Sequence, residues 1–152
     1  MRREKPYVTP TAQCSIERSL EVLGERWTFL ILRQAFAGTT RFADFQASLG
    51  VAADVLTRRL TKLVGAGILE KSEYRNPGDR ARADYHLTDT GRGLVVVLGA
   101  LQQWGDENLP LRKGPAYGRR DRRTGDLLSV AFVSDGGNVV PIEEVTIVAP
   151  TP

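Results

Sequence analysis

A predicted helix that starts at Ala52–Ala53 and ends at Gly65 or Gly67 combines hydroxyl, carboxylate and guanidinium side chains with an apolar stripe at helical spacing. The stripe consists of Val55, Leu56, Leu60, Leu63 and Val64, and the polar residues fall largely on other sides of the predicted helix. Arg58 can bind guanine O6 and N7 with two hydrogen bonds, and the Thr57 methyl group can meet the thymine methyl. Asp54 can accept from cytosine N4 or simply favour the helix N-terminus by its charge. The pattern therefore predicts base contacts by Asp54, Thr57 and Arg58. The alternative is that these residues form an ordinary solvated helix face.

Basic residues around this helix suit contacts with phosphate, which add affinity without reading sequence. Residues 58–82 hold seven Lys or Arg and three Asp or Glu, a local charge of +4 in a chain whose total is +3. The predicted phosphate contacts are Arg41, Thr61, Lys62, Arg75, Arg80 and Arg82. Arg59 is instead a candidate for anchoring this helix, either inside the domain or to a neighbouring helix. The local charge favours a polyanionic partner, double-stranded DNA.

A helix before this predicted helix and a hairpin after it would position these side chains. Phe42, Phe45 and Leu49 are spaced as the buried face of a short helix, and Gly50 follows as a joint. Two alternating segments, residues 68–75 and 83–87, flank an Asn-Pro-Gly-Asp turn sequence. Together they predict a helix-turn-helix followed by a basic wing, in which the second helix enters the DNA major groove.

Three further helices are expected around this motif. The first begins near Cys14 or Ser15 and ends at Gly24, with Ile16, Leu20 and Leu23 predicted on its buried side. A strongly apolar second helix follows from about residue 26 to residue 37. Thr88 is a candidate N-cap for a long helix over residues 89–108. That helix is apolar on more than one side, and its surplus face, Val97, Leu101 and Trp104, is the predicted dimer interface.

The chain after Pro110 changes in composition. A basic stretch with Gly and Pro is followed by two apolar segments, residues 127–133 and 145–148, with a turn sequence at residues 135–138 between them. These segments predict a small terminal β-hairpin.

The elements together predict an α+β fold in three parts. Residues 1–12 are charged and contain two prolines, so we expect a flexible arm. Residues 13–109 are expected to form a winged helix-turn-helix domain with N-terminal helices and a long C-terminal dimerisation helix. Residues 110–152 are expected to form a C-terminal extension built on the β-hairpin.

Composition argues against several other classes of protein. One Cys and one His exclude an internal disulfide and a Cys/His zinc site within one chain, and no cofactor or metal is predicted. No apolar run is long enough to span a bilayer, and the charged N-terminus lacks a signal-peptide core, so we expect a cytoplasmic protein. His86 stands alone in a predicted strand, and without a catalytic set an enzyme is not expected.

The ordered set of these segments resembles the HxlR family of bacterial winged helix-turn-helix transcriptional regulators. The matching segments are CSIER at 14–18, GERW at 24–27, LILR at 30–33, RF at 41–42, FQ at 45–46, VLTRRL at 55–60, AGIL at 66–69, YHLTDTG at 85–91 and WG at 104–105. The resemblance covers about residues 13–108. It implies a homodimer whose terminal helices meet and an inverted-repeat operator with one half-site per subunit. Members often carry a basic or amide residue where this chain has Asp54.

The resemblance also leads to a hypothesis for Cys14, namely that it senses oxidants or electrophiles. Thiolates, the form that oxidants attack, are favoured at helix N-termini, and some HxlR-like regulators use the equivalent Cys to sense oxidants or electrophiles. The alternative is a small buried hydrophobe packing the first helix. A small molecule or an electrophile is therefore a candidate effector.

Two function hypotheses result. The first is a homodimeric, sequence-specific DNA-binding transcriptional regulator. The second is a winged-helix protein-interaction module that does not read DNA sequence.

Overall fold

The computed structural model describes residues 14–148, so the predicted arm at residues 1–12 lies outside the described residues. The chain divides into two compact units, Met1–Leu98 and Gly99–Pro152. Within the described range, no helix is long and apolar enough to cross a membrane.

The first unit begins with four helices that enclose its core. They are α1 (Ser15–Leu23), α2 (Arg26–Phe36), α3 (Phe42–Leu49) and α4 (Ala53–Gly65). Ile31 and Leu32 of α2 are fully buried, which fits the strongly apolar sequence of this helix. The other buried apolar residues of the core are Leu23, Phe45, Val51, Leu56, Leu60, Leu63, Ile68, Leu69 and Tyr85.

The joint between α3 and α4 is formed at a left-handed glycine. Gly50 has a φ of 62° and its N–H donates to the Gln46 carbonyl, which ends α3. Leu56, Leu60 and Leu63 then bury the apolar stripe of α4. The helix-turn-helix predicted from sequence is present.

The wing follows α4 directly. Strands β1 (Leu69–Tyr74) and β2 (Arg82–Leu87) pair antiparallel, with Leu69 opposite Leu87 and Tyr74 opposite Arg82. Gly78 has a φ of 85° in the turn after Pro77, a conformation that L residues rarely adopt. An isolated bridge between Arg41 and Asp84 attaches the start of α3 to β2.

The predicted long helix after the wing is broken in two. The structure has α5 (Asp89–Arg92) and α6 (Val95–Asn108), separated at Gly93. The Thr88 hydroxyl accepts from the Gly91 N–H at 3.0 Å, which confirms the predicted cap. The same hydroxyl donates to the Gly67 carbonyl at 2.6 Å and so ties α5 to the end of α4.

One packing prediction for α1 is wrong. Leu23 is buried, but Ile16 and Leu20 are 64% and 53% exposed. Periodicity identified an apolar face correctly, but among residues 14–148 only the last turn of that face is buried by a neighbour.

The second unit consists of the later part of α6 and the tail that packs on it. Gly99 is buried, and a Cβ there would lie 3.0 Å from Cγ2 of Val130. The Gln103 amide accepts from the Val130 N–H at 2.8 Å and donates to its carbonyl at 3.1 Å, as a neighbouring strand would. The tail is therefore fixed to α6 by its backbone as well as by side chains.

The terminal hairpin is shorter than expected. Strands β3 (Phe132–Val133) and β4 (Val139–Val140) pair around the predicted turn. The prediction of a strand at residues 145–148 is wrong: those residues follow a 3₁₀ turn, Ile142–Glu144, and pair with no strand in the described part of the chain. Apolar alternation alone did not show which segment would meet a partner strand.

Candidate nucleic-acid interface

The polar face of α4 is open to solvent along its length. Leu56, Leu60 and Leu63 bury the opposite side, so the helix can be held on the domain while its polar side chains remain available. The exposed residues on this face are Asp54, Thr57, Arg58, Thr61 and Lys62. We call this set the recognition face.

Asp54 and Arg58 interact with each other on the recognition face. The Arg58 Nη2 atom lies 3.8 Å from Oδ2 of Asp54, one helical turn earlier, and the two side chains are 67% and 78% exposed. Such an exposed pair adds little stability. It does bias the Arg58 guanidinium to one side of α4 while leaving most of its N–H donors free. Asp54 makes no cap hydrogen bond, and Ala52 occupies the N-cap position.

Thr57 presents its methyl group to solvent because its hydroxyl is hydrogen-bonded within α4. The hydroxyl donates to the Ala53 carbonyl at 2.7 Å within α4. This bond fixes the side-chain rotamer and leaves the methyl as the group that can contact a base. The arrangement suits the predicted contact with a thymine methyl.

Arg59 lies on α4 but points to the interior of the domain. Its guanidinium pairs with both carboxylate oxygens of Glu25, the residue before α2, and its side chain is only 18% exposed. The predicted anchoring role of Arg59 toward a neighbouring helix is confirmed. Sequence reasoning missed Glu25, because the two residues are 34 positions apart and neither carries a local signal for the other.

Arg41 connects the helix-turn-helix to the wing. It precedes α3, and its guanidinium carbon lies 4.8 Å from the ring centroid of Tyr74 on β1. A guanidinium held over a ring keeps its edge N–H groups available for a phosphate oxygen. Tyr74 was not among the predicted functional residues, and its place opposite Arg82 in the hairpin is set by strand register.

The wing carries its basic residues at and beside its turn. Arg75, Arg80 and Arg82 are all exposed. The turn is ordered by a hydrogen bond from the Asp79 N–H to the Asn76 carbonyl at 2.9 Å. A structured hairpin therefore presents three cations, which is the arrangement expected of a wing that contacts phosphate.

The remaining predicted site residues are also exposed. Val97, Leu101 and Trp104 of α6 are 43%, 54% and 57% exposed, which is high for large apolar side chains. Cys14 is exposed at the N-cap position of α1 among the described residues. In the described range, residues 14–148, no group of three or more His, Cys, Asp or Glu could hold a metal ion.

Comparison with known proteins agrees with this architecture. The family model for HxlR-like helix-turn-helix proteins matches residues 22–113, more than half of the chain. The chain belongs to the HxlR family. It is similar to the HTH-type transcriptional regulator Rv3095 of Mycobacterium tuberculosis, with 42% identity over 74% of this chain and 70% of that protein. This HxlR protein is accordingly a helix-turn-helix transcriptional regulator.

Two solved structures differ in whether their match to this chain extends beyond the HxlR domain into the tail. The redox regulator HypR in its reduced form matches with 26% identity and a TM-score of 0.57, covering 63% of this chain and 94% of its own. PA1607 matches with 31% identity and a TM-score of 0.79, covering 92% of this chain and 97% of its own. Since residues 1–109 are under three quarters of the chain, the PA1607 match must include part of the tail. The tail fold is therefore shared with a solved relative.

Proposed function

We propose that this HxlR protein acts as a homodimer on an inverted-repeat operator. In each subunit α4 lies in a major groove and the wing contacts the flanking phosphates. The observation that carries the proposal is the recognition face itself. Leucines bury one side of α4. The opposite side presents the Asp54 carboxylate and, one turn later, the Arg58 guanidinium and the Thr57 methyl group, whose orientation is fixed by the hydrogen bond of the Thr57 hydroxyl.

The roles within the site follow from the contacts available to each side chain. Arg58 is assigned to a guanine, Thr57 to a thymine methyl, and Asp54 to orienting Arg58 or accepting from cytosine. The phosphate contacts are assigned to Arg41, Thr61, Lys62, Arg75, Arg80 and Arg82, whose exposure leaves them available. Arg59 is excluded from both sets because Glu25 already occupies its guanidinium.

Homodimerisation accounts for the uncovered apolar faces. Val97, Leu101 and Trp104 form one stripe on α6, and Ile16 and Leu20 form another on α1. Contiguous exposed apolar faces of this kind are typical of interaction surfaces. Two copies related by a twofold axis would place two recognition helices on two half-sites of an inverted repeat.

The decisive experiment measures fluorescence anisotropy with the upstream intergenic DNA of the gene and with a scrambled duplex, across a salt series. We expect preference for the native fragment at physiological salt. Arg58→Ala should abolish that preference, whereas Lys62→Ala should weaken binding to both duplexes equally and lower the salt slope by about 1.8, since the homodimer carries two copies of Lys62. Equal binding to both duplexes that disappears as salt rises would favour the interaction-module alternative.

We further propose that Cys14 senses oxidants. Its thiol is exposed at the start of α1, and the similar protein HypR is a redox regulator. In a homodimer, two Cys14 thiols can form an intersubunit disulfide, giving two protons and two electrons to hydrogen peroxide, which becomes two waters.

Peroxide treatment followed by non-reducing electrophoresis tests this role. We expect a dimer-sized band that dithiothreitol removes and that Cys14→Ser lacks. Operator affinity should change on oxidation in the wild type only. An equal response of wild type and Cys14→Ser in DNA binding would overturn the sensing role.

A further inference from the structure

The tail of this protein separates its charges along the sequence. Residues 112–123 contain six Lys or Arg and one Asp, whereas residues 124–152 contain no Lys or Arg and four Asp or Glu. The basic stretch belongs to neither the helix-turn-helix nor the wing. Its net charge of +5 over 12 residues is denser than the +4 over residues 58–82, and it has no role in the function proposed above.

Two arginines of the stretch have structural partners inside the second unit. The Arg119 Nη1 atom lies 3.8 Å from Oδ2 of Asp106 on α6, and its Nε donates to the Leu128 carbonyl at 3.3 Å. Arg120 donates to the Gly125 carbonyl at 2.8 Å. These two residues therefore hold the tail in shape.

The next two arginines project from a tight loop at residues 121–126, which we call the arginine loop. The Asp121 carboxylate accepts from the backbone N–H groups of Arg123 at 2.7 Å and Thr124 at 3.3 Å. The Gly125 N–H donates to the Asp121 carbonyl at 2.8 Å and closes the loop. Arg122 and Arg123 are exposed, and their side chains have no hydrogen-bond or ion-pair partner among residues 14–148.

We propose that the arginine loop is a second DNA-phosphate contact of this regulator, additional to the helix-turn-helix and the wing. The proposal rests on the proposed DNA-binding function. Guanidinium groups bind phosphate oxygens in a bidentate fork. Because backbone hydrogen bonds already order the loop, binding requires only the two side chains to be immobilised. Duplex DNA is the favoured polyanion because the same chain presents a recognition face.

A phosphate contact has a measurable signature that a structural role lacks. Each phosphate neutralised by a side chain adds about 0.9 to the salt slope of DNA binding. In the homodimer, loss of two arginine contacts from each subunit should therefore lower the slope by about 3.6. It should weaken native and scrambled duplexes by the same factor, since phosphates carry no sequence information.

The test compares full-length wild type with R122Q/R123Q by anisotropy on native and scrambled duplexes across salt. Because Arg122 and Arg123 have no side-chain partners in the described chain, the fold should persist, and urea unfolding checks this. The matched control is E143Q/E144Q, which changes net charge by the same amount in the same unit but with opposite sign. Both control residues are exposed.

We expect a reduced slope for R122Q/R123Q and an unchanged slope for E143Q/E144Q. Equal and opposite slope changes in the two variants would assign the effect to net charge and overturn the contact. An unchanged slope in R122Q/R123Q, with the preference for the native duplex intact, would overturn the proposed phosphate contact of the arginine loop but not the proposed function. A reduced slope in a protein without native preference would support the loop while overturning sequence-specific binding, and absence of any duplex binding by wild type would overturn both.

Discussion

Arg59 of α4 pairs with Glu25 at the start of α2, and this ion pair joins the two helices. It joins two elements whose relative orientation sets the direction of the recognition face. The neighbouring Arg58 faces solvent. Of these adjacent arginines, Arg59 is held within the domain, whereas the Arg58 side chain remains available to a partner.

The first prediction concerns this pair. Glu25→Gln should lower the free energy of unfolding by about 1–2 kcal/mol, since the pair is partly but not fully screened. Operator affinity should fall while the salt slope stays constant, because neither residue contacts phosphate in our assignment. Urea unfolding and salt-dependent anisotropy measure the two effects. Glu21→Gln, an exposed change on α1, is the control, and a lower slope in Glu25→Gln would contradict the packing role.

The second prediction concerns Asp54. Asp54→Asn removes the carboxylate that biases Arg58 and a negative charge from the recognition face. We expect tighter binding to scrambled DNA and loss of part of the roughly 1–3 kcal/mol of discrimination that a bidentate arginine–guanine contact supplies. The Kd values for native and scrambled duplexes give the ratio.

Asp44→Asn in the first turn of α3 is the matched control, since it makes the same charge change at another exposed helix start. If both variants change the ratio of Kd values equally, Asp54 has no specific part in recognition.

The third prediction separates the two functional groups of Thr57. Because the hydroxyl is bonded within α4, Thr57→Val should keep operator affinity, as the methyl remains. Thr57→Ser removes the methyl and should weaken operator binding roughly 15-fold, the equivalent of about 1.6 kcal/mol for one buried methyl group in each of the two half-sites. Anisotropy with thymine replaced by uracil provides the check: wild type should lose affinity on the uracil duplex, and Thr57→Ser should not. The opposite ranking of Val and Ser would show that the hydroxyl reads DNA.

The fourth prediction concerns glycines in the first unit. A Cβ on Gly91 would lie 2.1 Å from the Ile68 backbone oxygen, so Gly91→Ala must displace α5 or β1. We expect a loss of about 2–3 kcal/mol in stability. Gly65→Ala at the end of α4 meets no atom within 4 Å and should raise stability by up to about 1 kcal/mol. Thermal and urea unfolding measure both, and equal effects of the two substitutions would show that the close approach at Gly91 relaxes freely.

The fifth prediction concerns the α6 stripe. Leu101→Arg or Trp104→Arg places a charge within the proposed subunit interface, where an unpaired buried charge is strongly unfavourable. Sedimentation equilibrium should shift from a dimer toward the 16.7 kDa monomer. Glu107→Arg introduces the same side chain about a quarter-turn away on α6 and should leave the dimer intact. A wild type that sediments as a monomer at micromolar concentration would remove the interface proposal.

Much of the fold could be predicted because its signals are local. The stripe on α4, the glycine at the α3–α4 joint and the Pro-Gly turn of the wing each depend on backbone geometry within a few residues. The exposed polar side of α4 followed from the same periodicity, since burying the leucines leaves Thr57 and Arg58 outside.

Sequence by itself thus determined the helix-turn-helix, the wing and which residues of α4 could face DNA. Tertiary structure alone decided that Glu25 pairs with Arg59, that Tyr74 lies beneath Arg41, and that Gln103 holds Val130. These pairs join residues far apart in the chain, so no spacing rule connects them. The packing of the surrounding helices and strands brings each pair of residues together. These contacts therefore exist only once the chain has folded.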